Sequence, residues 1–340
     1  MLSVAGVVSG ANDPSSRFRA LQLVEPLAEH GVALTPFVPF IDAYPPRTKI
    51  LRPVWGAAAL VERLAMAART RRFQLTFLQR TMLSTLATVE GLCRAPRVFD
   101  VDDSIHLYRD GWAARRAARL CDLVICGNDY LSEWYSRENR RVAVLPTAVD
   151  TERWAPAKEK REEALIVGWI GASSHLADLE RREESLGSFL RAFPGWRLRI
   201  VSDRAPRLAS IPSDRWTFSP WSAETEVAET AAFSIGLMPL DDTPYNRGKC
   251  SYKMLLYMAC GVPVVVSPVG MNAEVLARGE CGIGAAGAKD WTDALGALAG
   301  DAALRAKMGA AGRAIVASDF SREVIAPKLA RLLLGVGGAA

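Results

Sequence analysis

Three cations, Arg247, Lys249 and Lys253, lie close together in the second half of the chain, at the start of a stretch with helical period. A glycine loop at Gly270 opens the next helical stretch, which carries Glu274 near its first turn. Cationic side chains and the backbone N–H groups of helix N-termini bind anions, and a carboxylate accepts hydrogen bonds from hydroxyls. The pattern therefore predicts a site for a diphosphate beside a ribose or another sugar.

A second polar loop carries the carboxylates Asp100, Asp102 and Asp103, followed by His106. Clustered carboxylates after a strand can bind a metal, orient a sugar hydroxyl or act as a base. The structural alternative is that Asp103 or the serine after it caps a helix, with ion pairing to Arg109. A single histidine is weak evidence for a site.

A third loop, at residues 9–19, combines a glycine, hydroxyls and arginines. Gly10 permits a tight backbone turn, and Ser16 can cap the next helix or help its N-terminus to bind a phosphate. Arg17 and Arg19 add positive charge. Contact with a phosphate or acceptor and simple capping are both open interpretations, and the Gly-x-Gly-x-x-Gly fingerprint of dinucleotide binding is missing.

These loops need a scaffold, and short apolar runs alternate with helical stretches along the chain, which is typical of βαβ units and parallel sheets. Parallel sheets bind ligands beyond the carboxyl ends of their strands. Strands are predicted at residues 2–8, 33–37, 75–79, 98–101, 123–126, 142–145, 164–170, 196–201, 216–218, 233–238, 262–267 and 282–285. Helices are predicted at residues 17–30, 56–71, 82–91, 111–119, 129–137, 179–191, 223–231, 250–259, 272–277, 288–299, 301–317 and 320–334.

The pattern restarts after a polar, proline-containing segment at residues 150–163, which predicts two domains. We expect a first Rossmann-like domain at residues 1–155 and a second at residues 156–318. A C-terminal helix within residues 319–340 is expected to pack back on the first domain.

The composition fits a globular α/β protein, with 50% hydrophobic and 23% charged residues. A net charge of +5 is too small to indicate nucleic-acid binding. The six cysteines form no Cys-x-x-Cys pair, which indicates buried thiols in a reducing compartment and no metal site. Since neither a signal peptide nor a membrane-spanning run is recognisable, we expect a cytoplasmic protein.

The most informative segment runs from Tyr245 to Glu274, and from Tyr257 onward it has the order Tyr-Met-Ala-x-Gly-x-Pro-Val-Val-x-Ser-x-x-Gly-x-x-x-Glu. It resembles the donor-binding region of retaining GT-B glycosyltransferases of family four. Shorter matches lie at residues 145–150, 167–171 and 236–240. The resemblance implies two Rossmann-like domains facing across a cleft and a hexosyltransferase that uses a nucleoside-diphosphate sugar.

The sequence departs from this family in two places. Two glutamates that many members carry are replaced by Gly248 and Leu256, and an Arg and Lys pair is missing from the loop at residues 171–175. We infer that other groups replace the lost positive charge. These groups are the cations Arg247, Lys249 and Lys253, while Ser173 and Ser174 are expected to donate hydrogen bonds to the phosphates.

In the transition state of glycosyl transfer the leaving diphosphate gathers negative charge, and the resemblance implies that it can also accept the proton of the acceptor. The residues predicted to be catalytic are Lys249, Arg247, Asp103 and Asp100. The residues predicted to bind the donor are Gly171, Ser173, Ser174, Arg204, Lys253, Gly270, Met271, Asn272, Glu274 and Gly10. The residues predicted on the acceptor side are Ser16, Arg17, Arg19, Asp102 and His106. We expect no cofactor and no metal, only a UDP- or GDP-linked sugar as substrate.

The expected acceptor is a carbohydrate or a lipid-linked glycan. The amphipathic stretch at residues 55–72, with Leu60, Leu64 and Met66 near basic residues, is expected to pack against the first sheet. Its alternative role is peripheral docking on the inner face of the cell membrane. Two other functions stay open: a nucleotide-sugar epimerase of the same fold, and a catalytically silent scaffold that binds nucleotide sugar.

Overall fold

The computed structural model describes residues 1–46, 48–157 and 165–338, and this part of the chain divides into two compact units. The first unit comprises Met1–Ala148, Gly248–Cys250 and the described part of Arg322–Ala340. The second comprises Ser251–Ser321 and the described part of Val149–Arg247. The units therefore change over after residues 148 and 321, where the sequence analysis placed the boundaries at 155 and 318. Part of the predicted linker, with the first residue of the strand predicted at 164–170, lies outside the described residues.

The first unit contains a six-stranded parallel sheet whose strands are rich in apolar, β-branched residues. Its strands are β1 (Leu2–Val7), β2 (Val32–Phe37), β3 (Leu75–Gln79), β4 (Arg97–Val101), β5 (Leu123–Cys126) and β6 (Val142–Val144). Their order in the sheet is β2-β1-β3-β4-β5-β6. The order reverses between β1 and β3, so the loops after these two strands border the crevice in which such sheets bind ligands.

The second unit repeats this architecture with a second parallel sheet. Its strands are β7 (Leu165–Ile170), β8 (Trp196–Ser202), β9 (Trp216–Pro220), β10 (Ile235–Met238), β11 (Val264–Val266) and β12 (Gly282–Gly284). Their order is β12-β11-β10-β7-β8-β9, which reverses between β7 and β10. The loops after β7 and β10 therefore border the crevice of this sheet.

Helices connect the strands and cover the sheets. They are α1 (Pro14–Arg19), α2 (Val24–Glu29), α3 (Arg52–Thr70), α4 (Trp112–Leu120), α5 (Asp129–Tyr135), α6 (Leu176–Glu180), α7 (Glu183–Ala192), α8 (Glu226–Ala231), α9 (Pro244–Arg247), α10 (Tyr252–Ala259), α11 (Met271–Leu276), α12 (Ala288–Gly300), α13 (Ala302–Ile315) and α14 (Arg322–Gly337). Among the described residues, no helix is long and apolar enough to cross a membrane.

Each unit has its own hydrophobic core. In the first unit, Phe77 of β3 and Ile325 and Leu333 of α14 belong to one buried cluster, so the C-terminal helix completes this core. In the second unit, Trp169 of β7 and Trp291 of α12 are both buried in the other cluster. Two Rossmann-like α/β units, each with a parallel sheet, are thus present as predicted.

The helix predicted at residues 82–91 is wrong. Leu83 pairs with Leu86 in an antiparallel bridge, and Ser84 between them has a φ of +47°. The buried carboxylate of Glu90 accepts hydrogen bonds from the N–H groups of Met82, at 2.9 Å, and Thr88, at 2.5 Å. A side chain thus satisfies backbone donors that a helix would have paired internally, and periodicity does not reveal such a bond.

Candidate active site

Asp100, predicted to be catalytic, lies in a buried ion pair at the carboxyl end of β4. Its two carboxylate oxygens accept hydrogen bonds from the guanidinium of Arg19 on α1, with Arg19 Nε 3.0 Å from Oδ2. Arg19 Nη1 also donates to the carbonyl oxygen of Leu145, 2.7 Å away. Burial opposes the charge of Arg19, but the Asp100 carboxylate outweighs it and raises the pKa of Arg19 above its ordinary value. Both side chains are almost fully buried, so this geometry supports a role in positioning α1 against β4.

Asp102 and Asp103 share one partner, Arg80, which the sequence analysis did not single out. Arg80 follows β3 in the left-handed region, with a φ of +64°. Its Nε lies 2.8 Å from Asp102 Oδ1, and its Nη2 lies 3.6 Å from Asp103 Oδ2. Burial favours the neutral acid, but Arg80 outweighs this effect and lowers the pKa of Asp102. Asp102 is therefore ionised, and the loop after β4 is tied to the loop after β3.

The loop after β1 uses its polar groups for local structure. Asp13 caps α1 by accepting a hydrogen bond from the N–H of Ser16 at 3.1 Å. The Ser16 hydroxyl accepts from the N–H groups of Ser9, at 3.0 Å, and Gly10, at 3.3 Å, and donates to Oε1 of Gln79 at 3.3 Å. Ser16 is fully buried and bonds the preceding loop while Asp13 caps α1, so this geometry favours a structural role of Ser16 over contact with a ligand.

His106 is a buried, uncharged residue of the first unit. It stacks on Trp134, with ring centroids 4.7 Å apart and the planes inclined by 30°. Burial lowers the pKa of His106 to about 4, so the ring is neutral at pH 7. Among the described residues, no group of His, Cys, Asp and Glu side chains is arranged to hold a metal ion.

The segment Gly248–Cys250 belongs to the first unit. The side chain of Asn128, which caps α5, donates from Nδ2 to the carbonyl oxygen of Lys249 at 3.1 Å. The Cys250 thiol donates to the backbone carbonyl oxygen of Asp102, which is 3.2 Å away. A Cβ atom on Gly248 would lie only 1.9 Å from the hydroxyl of Ser104. The residue that replaces a family glutamate is therefore a glycine because this position has no room for a side chain.

In the second unit, the loop after β7 carries Ser173 and Ser174. Ser173 donates from its N–H and its hydroxyl to the two carboxylate oxygens of Asp203, at 2.6 and 2.7 Å. Burial of Asp203 is outweighed by these bonds, which lower its pKa. Ser174 and Arg204 are exposed beside this pair. The Ser173 hydroxyl, expected to meet a phosphate, is thus engaged by a carboxylate that the sequence analysis missed.

Gly171 and Lys253, both predicted to bind the donor, meet at the end of β7. A Cβ atom on Gly171 would lie 2.4 Å from Cε of Lys253, and Lys253 Nζ lies 5.4 Å from the centroid of the Trp169 ring. Below them, the hydroxyl of Tyr257 on α10 accepts a hydrogen bond from the N–H of Ile170 at 3.1 Å. This bond fixes α10, and with it Lys253, against the carboxyl end of β7.

The loop before α11 turns at Gly270, which has a φ of +52°. A Cβ atom on Gly270 would lie 2.6 Å from the carbonyl oxygen of Arg247, so only glycine permits this close approach. The Arg247 guanidinium pairs with Asp242 on the surface, with Nε 2.5 Å from Oδ1 and Nη2 2.8 Å from Oδ2. Exposed pairs of this kind contribute little stability, so Arg247 can exchange its partner.

Asn272 links the starts of α10 and α11. Its Oδ1 accepts a hydrogen bond from the hydroxyl of Ser251 at 2.7 Å, and its Nδ2 donates to the carbonyl oxygen of Ser267 at 2.9 Å. Asn272 is fully buried and Met271 is nearly so, whereas Glu274 is exposed in the first turn of α11. Of these three predicted donor-binding residues, the geometry leaves Glu274 accessible from solvent.

Known proteins resemble this chain in sequence and in fold. Residues 166–301 match the family model described as glycosyl transferases group 1. The chain is 26% identical over 284 residues to the GDP-mannose-dependent alpha-(1-6)-phosphatidylinositol monomannoside mannosyltransferase of Mycolicibacterium smegmatis, covering 74% of each chain. Residues 166–301 form a glycosyltransferase domain.

The fold of this glycosyltransferase is similar to two solved structures. The sucrose-phosphate synthase of Thermosynechococcus elongatus gives a TM-score of 0.77 at 17% identity over 100% of both chains. Anabaena Alr3699/HepE in complex with UDP and glucose gives 0.72 at 16% identity over 98% of this chain and 100% of the other. The predicted GT-B fold and the predicted hexosyltransferase class are confirmed, while the assignment to family four stays a prediction.

The roles of individual residues in the glycosyltransferase also stay predictions, but the structure shows which of them meet. It brings Gly171 to Lys253 and Gly270 to the backbone of Arg247. The sequence analysis missed Arg80 and Asp203. Each comes at or just after the end of a predicted strand, and this position was the signal that could have revealed them.

Proposed function

We propose that this glycosyltransferase moves a hexosyl group from a UDP- or GDP-linked sugar to a hydroxyl of a carbohydrate or lipid-linked glycan, with retention and without a metal. The observation that carries the donor part is the meeting of Gly171, Lys253 and Trp169 where the strand order of the second sheet reverses. Two of the similar proteins add support, because one is described as GDP-mannose-dependent and the other contains UDP and glucose. Glycan or glycolipid biosynthesis is the proposed pathway.

In this proposal the bond from the sugar to the diphosphate breaks, a bond to the acceptor oxygen forms, and the leaving phosphate takes the acceptor proton. Lys253 stabilises the departing charge beside Gly171, where the missing side chain lets a phosphate approach the backbone. Lys249 and Arg247 are the further cations assigned to this charge. Glu274, exposed on α11, accepts hydrogen bonds from ribose or sugar hydroxyls.

The donor is tested by thermal unfolding with UDP, GDP, ADP and their common sugar conjugates. A ligand that binds only the native state raises Tm by mass action, so we expect one nucleotide to raise it by several degrees. The selected sugar nucleotide is then incubated with glycan acceptors, and release of nucleoside diphosphate is measured. Sugar interconversion without an acceptor would indicate an epimerase, binding without turnover would indicate a scaffold, and no shift with any nucleotide would contradict a donor site.

The leaving-group assignment is tested by Lys249→Ala. We expect turnover to fall by about a hundredfold while urea unfolding stays unchanged, because the side chain is assigned to charge that develops in the transition state. Lys289→Ala is the matched control, since this lysine is a surface residue paired with Asp293 and 85% exposed. Unchanged turnover in the Lys249 variant would remove this residue from the proposal.

The proposed location is the cytoplasm. All six cysteines are free, buried thiols, as is usual for proteins of a reducing compartment. Burial raises the pKa of each of them, which disfavours the thiolate that forms disulfides. Fractionation of the native cells should recover the protein with cytoplasmic markers or on the inner membrane, and recovery in an extracytoplasmic fraction would contradict the proposal.

A further inference from the structure

Helix α3 of the first unit carries apolar side chains on the side that faces solvent. We define its outward face by six residues: Val54, Ala57, Leu60, Val61, Leu64 and Ala68. Val54 is 71% exposed and Val61 is 67% exposed. From residue 53 to residue 68, every residue in the exposed class is apolar. The expectation that the whole stretch packs on the sheet is therefore wrong for Leu60 and Leu64, which are 39% and 41% exposed, and right for Met66, at 5%.

The charged residues in the middle of α3 point the other way. Arg63 is 1% exposed and donates from Nη2 to the carbonyl oxygen of Ile41 at 2.8 Å. Glu62, beside it, accepts from the N–H groups of Phe40, at 2.7 Å, and Ile41, at 3.1 Å. These bonds fix the backbone at Phe40, whose side chain is nonetheless fully exposed at 101%. An exposed phenylalanine held on a fixed backbone beside an apolar helix face is costly in water unless something covers it.

Cations lie at both ends of the outward face. Lys49 and Arg52 are exposed where α3 begins, and Arg69, Arg71 and Arg72 are exposed where it ends. The helix of 19 residues separates these two groups by roughly 28 Å. The nearby carboxylate of Asp42 accepts a hydrogen bond from the N–H of Tyr44. An apolar face with cations at its ends is typical of helices that lie in a membrane interface.

We propose that the outward face of α3, together with Phe40, docks on the surface of an anionic phospholipid bilayer. Charge distribution favours the bilayer over a second copy of this chain. Two copies paired through this face, parallel or antiparallel, would bring one cationic end against another, because both ends carry the same sign. Anionic headgroups neutralise both ends at once, and the acyl boundary covers Phe40 and the apolar side chains.

The purpose of this docking rests on the proposed glycosyl transfer, since it would bring the enzyme to a lipid-linked acceptor, but the docking itself needs no substrate. The full chain is sedimented with vesicles of phosphatidylcholine alone and of phosphatidylcholine with about a third phosphatidylglycerol. We expect binding to the anionic vesicles only, weakening as salt is raised. Binding to neither kind, or equal binding to both, would overturn the proposal.

Three substitutions on the surface, Phe40→Ser, Val61→Ser and Leu64→Ser, are combined in one variant, which should bind the anionic vesicles at least about tenfold more weakly. The control combines Leu92→Ser, Val144→Ser and Leu334→Ser, which are 52%, 40% and 41% exposed elsewhere in the unit, and should bind like the natural protein. Sedimentation velocity without lipid tests the alternative that a second copy of this chain covers the outward face. A dimer that the first variant dissociates would overturn the proposal in favour of a second copy.

Vesicle binding and glycosyl transfer can fail separately. If the anionic vesicles bind the protein but no nucleotide raises its Tm, the docking surface stands and the proposed donor site fails. If a nucleotide binds and turns over with a water-soluble acceptor while vesicles do not bind, the docking surface fails alone.

Discussion

The two sheets use charged residues differently at their carboxyl ends. In the first unit, cations and carboxylates neutralise one another, Arg19 with Asp100 in a buried pair and Arg80 with Asp102 in a partly buried one. In the second unit, Lys253 lies over the Trp169 ring beside Gly171, a residue without a side chain. The first set of charges ties loops together, whereas the function proposed above assigns the cation of the second unit to an anionic ligand.

The largest effect is expected when the buried pair of the first unit loses one partner. Asp100→Ala leaves the Arg19 guanidinium buried and uncompensated, which should lower the free energy of unfolding by about 3–5 kcal/mol in urea titrations. Glu133→Ala is the control, because this residue pairs with Arg137 on the surface with both side chains at least 70% exposed, and should change it by about 0.5 kcal/mol or less. A cost below about 1 kcal/mol for Asp100→Ala would contradict the positioning role.

Next in size is the loss of the cation of the second unit. Lys253→Ala should lower kcat/KM by about a hundredfold with little change in unfolding, because the lysine is assigned to the leaving diphosphate. Lys253→Arg should restore part of the loss. Lys307→Ala, which removes a surface lysine paired with Glu280, should leave activity unchanged. A Lys253→Ala protein that is fully active would mean that the second unit does not use this cation.

A smaller effect is expected at the link between α10 and α11. Asn272→Ala leaves the Ser251 hydroxyl and the Ser267 carbonyl without their buried partner, and should cost about 1–3 kcal/mol of unfolding free energy. The control Thr292→Ala removes a hydroxyl that bonds a carbonyl on the exposed side of α12 and should cost much less. Equal costs for the two variants would show that Asn272 does not hold the two helix starts together.

The last prediction concerns pH and the first unit. Because burial lowers the pKa of His106 to about 4, the native ring stays neutral while the unfolded chain takes up a proton below pH 6.5. The unfolded state then binds more protons, so His106 should reduce the stability as pH falls from 7 to 5, by about 2 kcal/mol. His106→Phe, which can still stack on Trp134, should flatten this part of the pH profile. Profiles of equal slope would show that His106 keeps its ordinary pKa.

Much of the fold follows from local pattern, because each strand of a buried parallel sheet needs an apolar run and each helix needs an apolar face. The helix predicted at residues 82–91 is wrong because the buried Glu90 carboxylate accepts hydrogen bonds from the N–H groups of Met82 and Thr88, and such bonds have no periodic signature. The packing predicted for Leu60 and Leu64 of α3 is wrong for a related reason. Periodicity shows that one face of a helix is apolar, but it does not show whether that face lies against the sheet or against solvent.

The candidate site was predicted less completely than the fold. Gly171 directly follows β7 and Gly270 lies in the loop that opens α11, as the sequence predicted. Gly270 must be a glycine, because its backbone approaches the carbonyl oxygen of Arg247 too closely for a side chain. The sequence does not predict which groups the polar and charged side chains of the site contact. Whether Ser173 meets a phosphate or Asp203 depends on the juxtaposition of two loops, and only the three-dimensional structure contains that information.

Hydrogen–deuterium exchange with the nucleoside diphosphate selected by thermal unfolding tests most directly whether the donor site lies in the second unit. The account predicts slower exchange in the loops at residues 171–174 and 251–253 and around Gly270, with residues 9–17 and 80–84 of the first unit unchanged. Protection confined to those loops of the first unit would contradict the assignment of the donor to the second sheet.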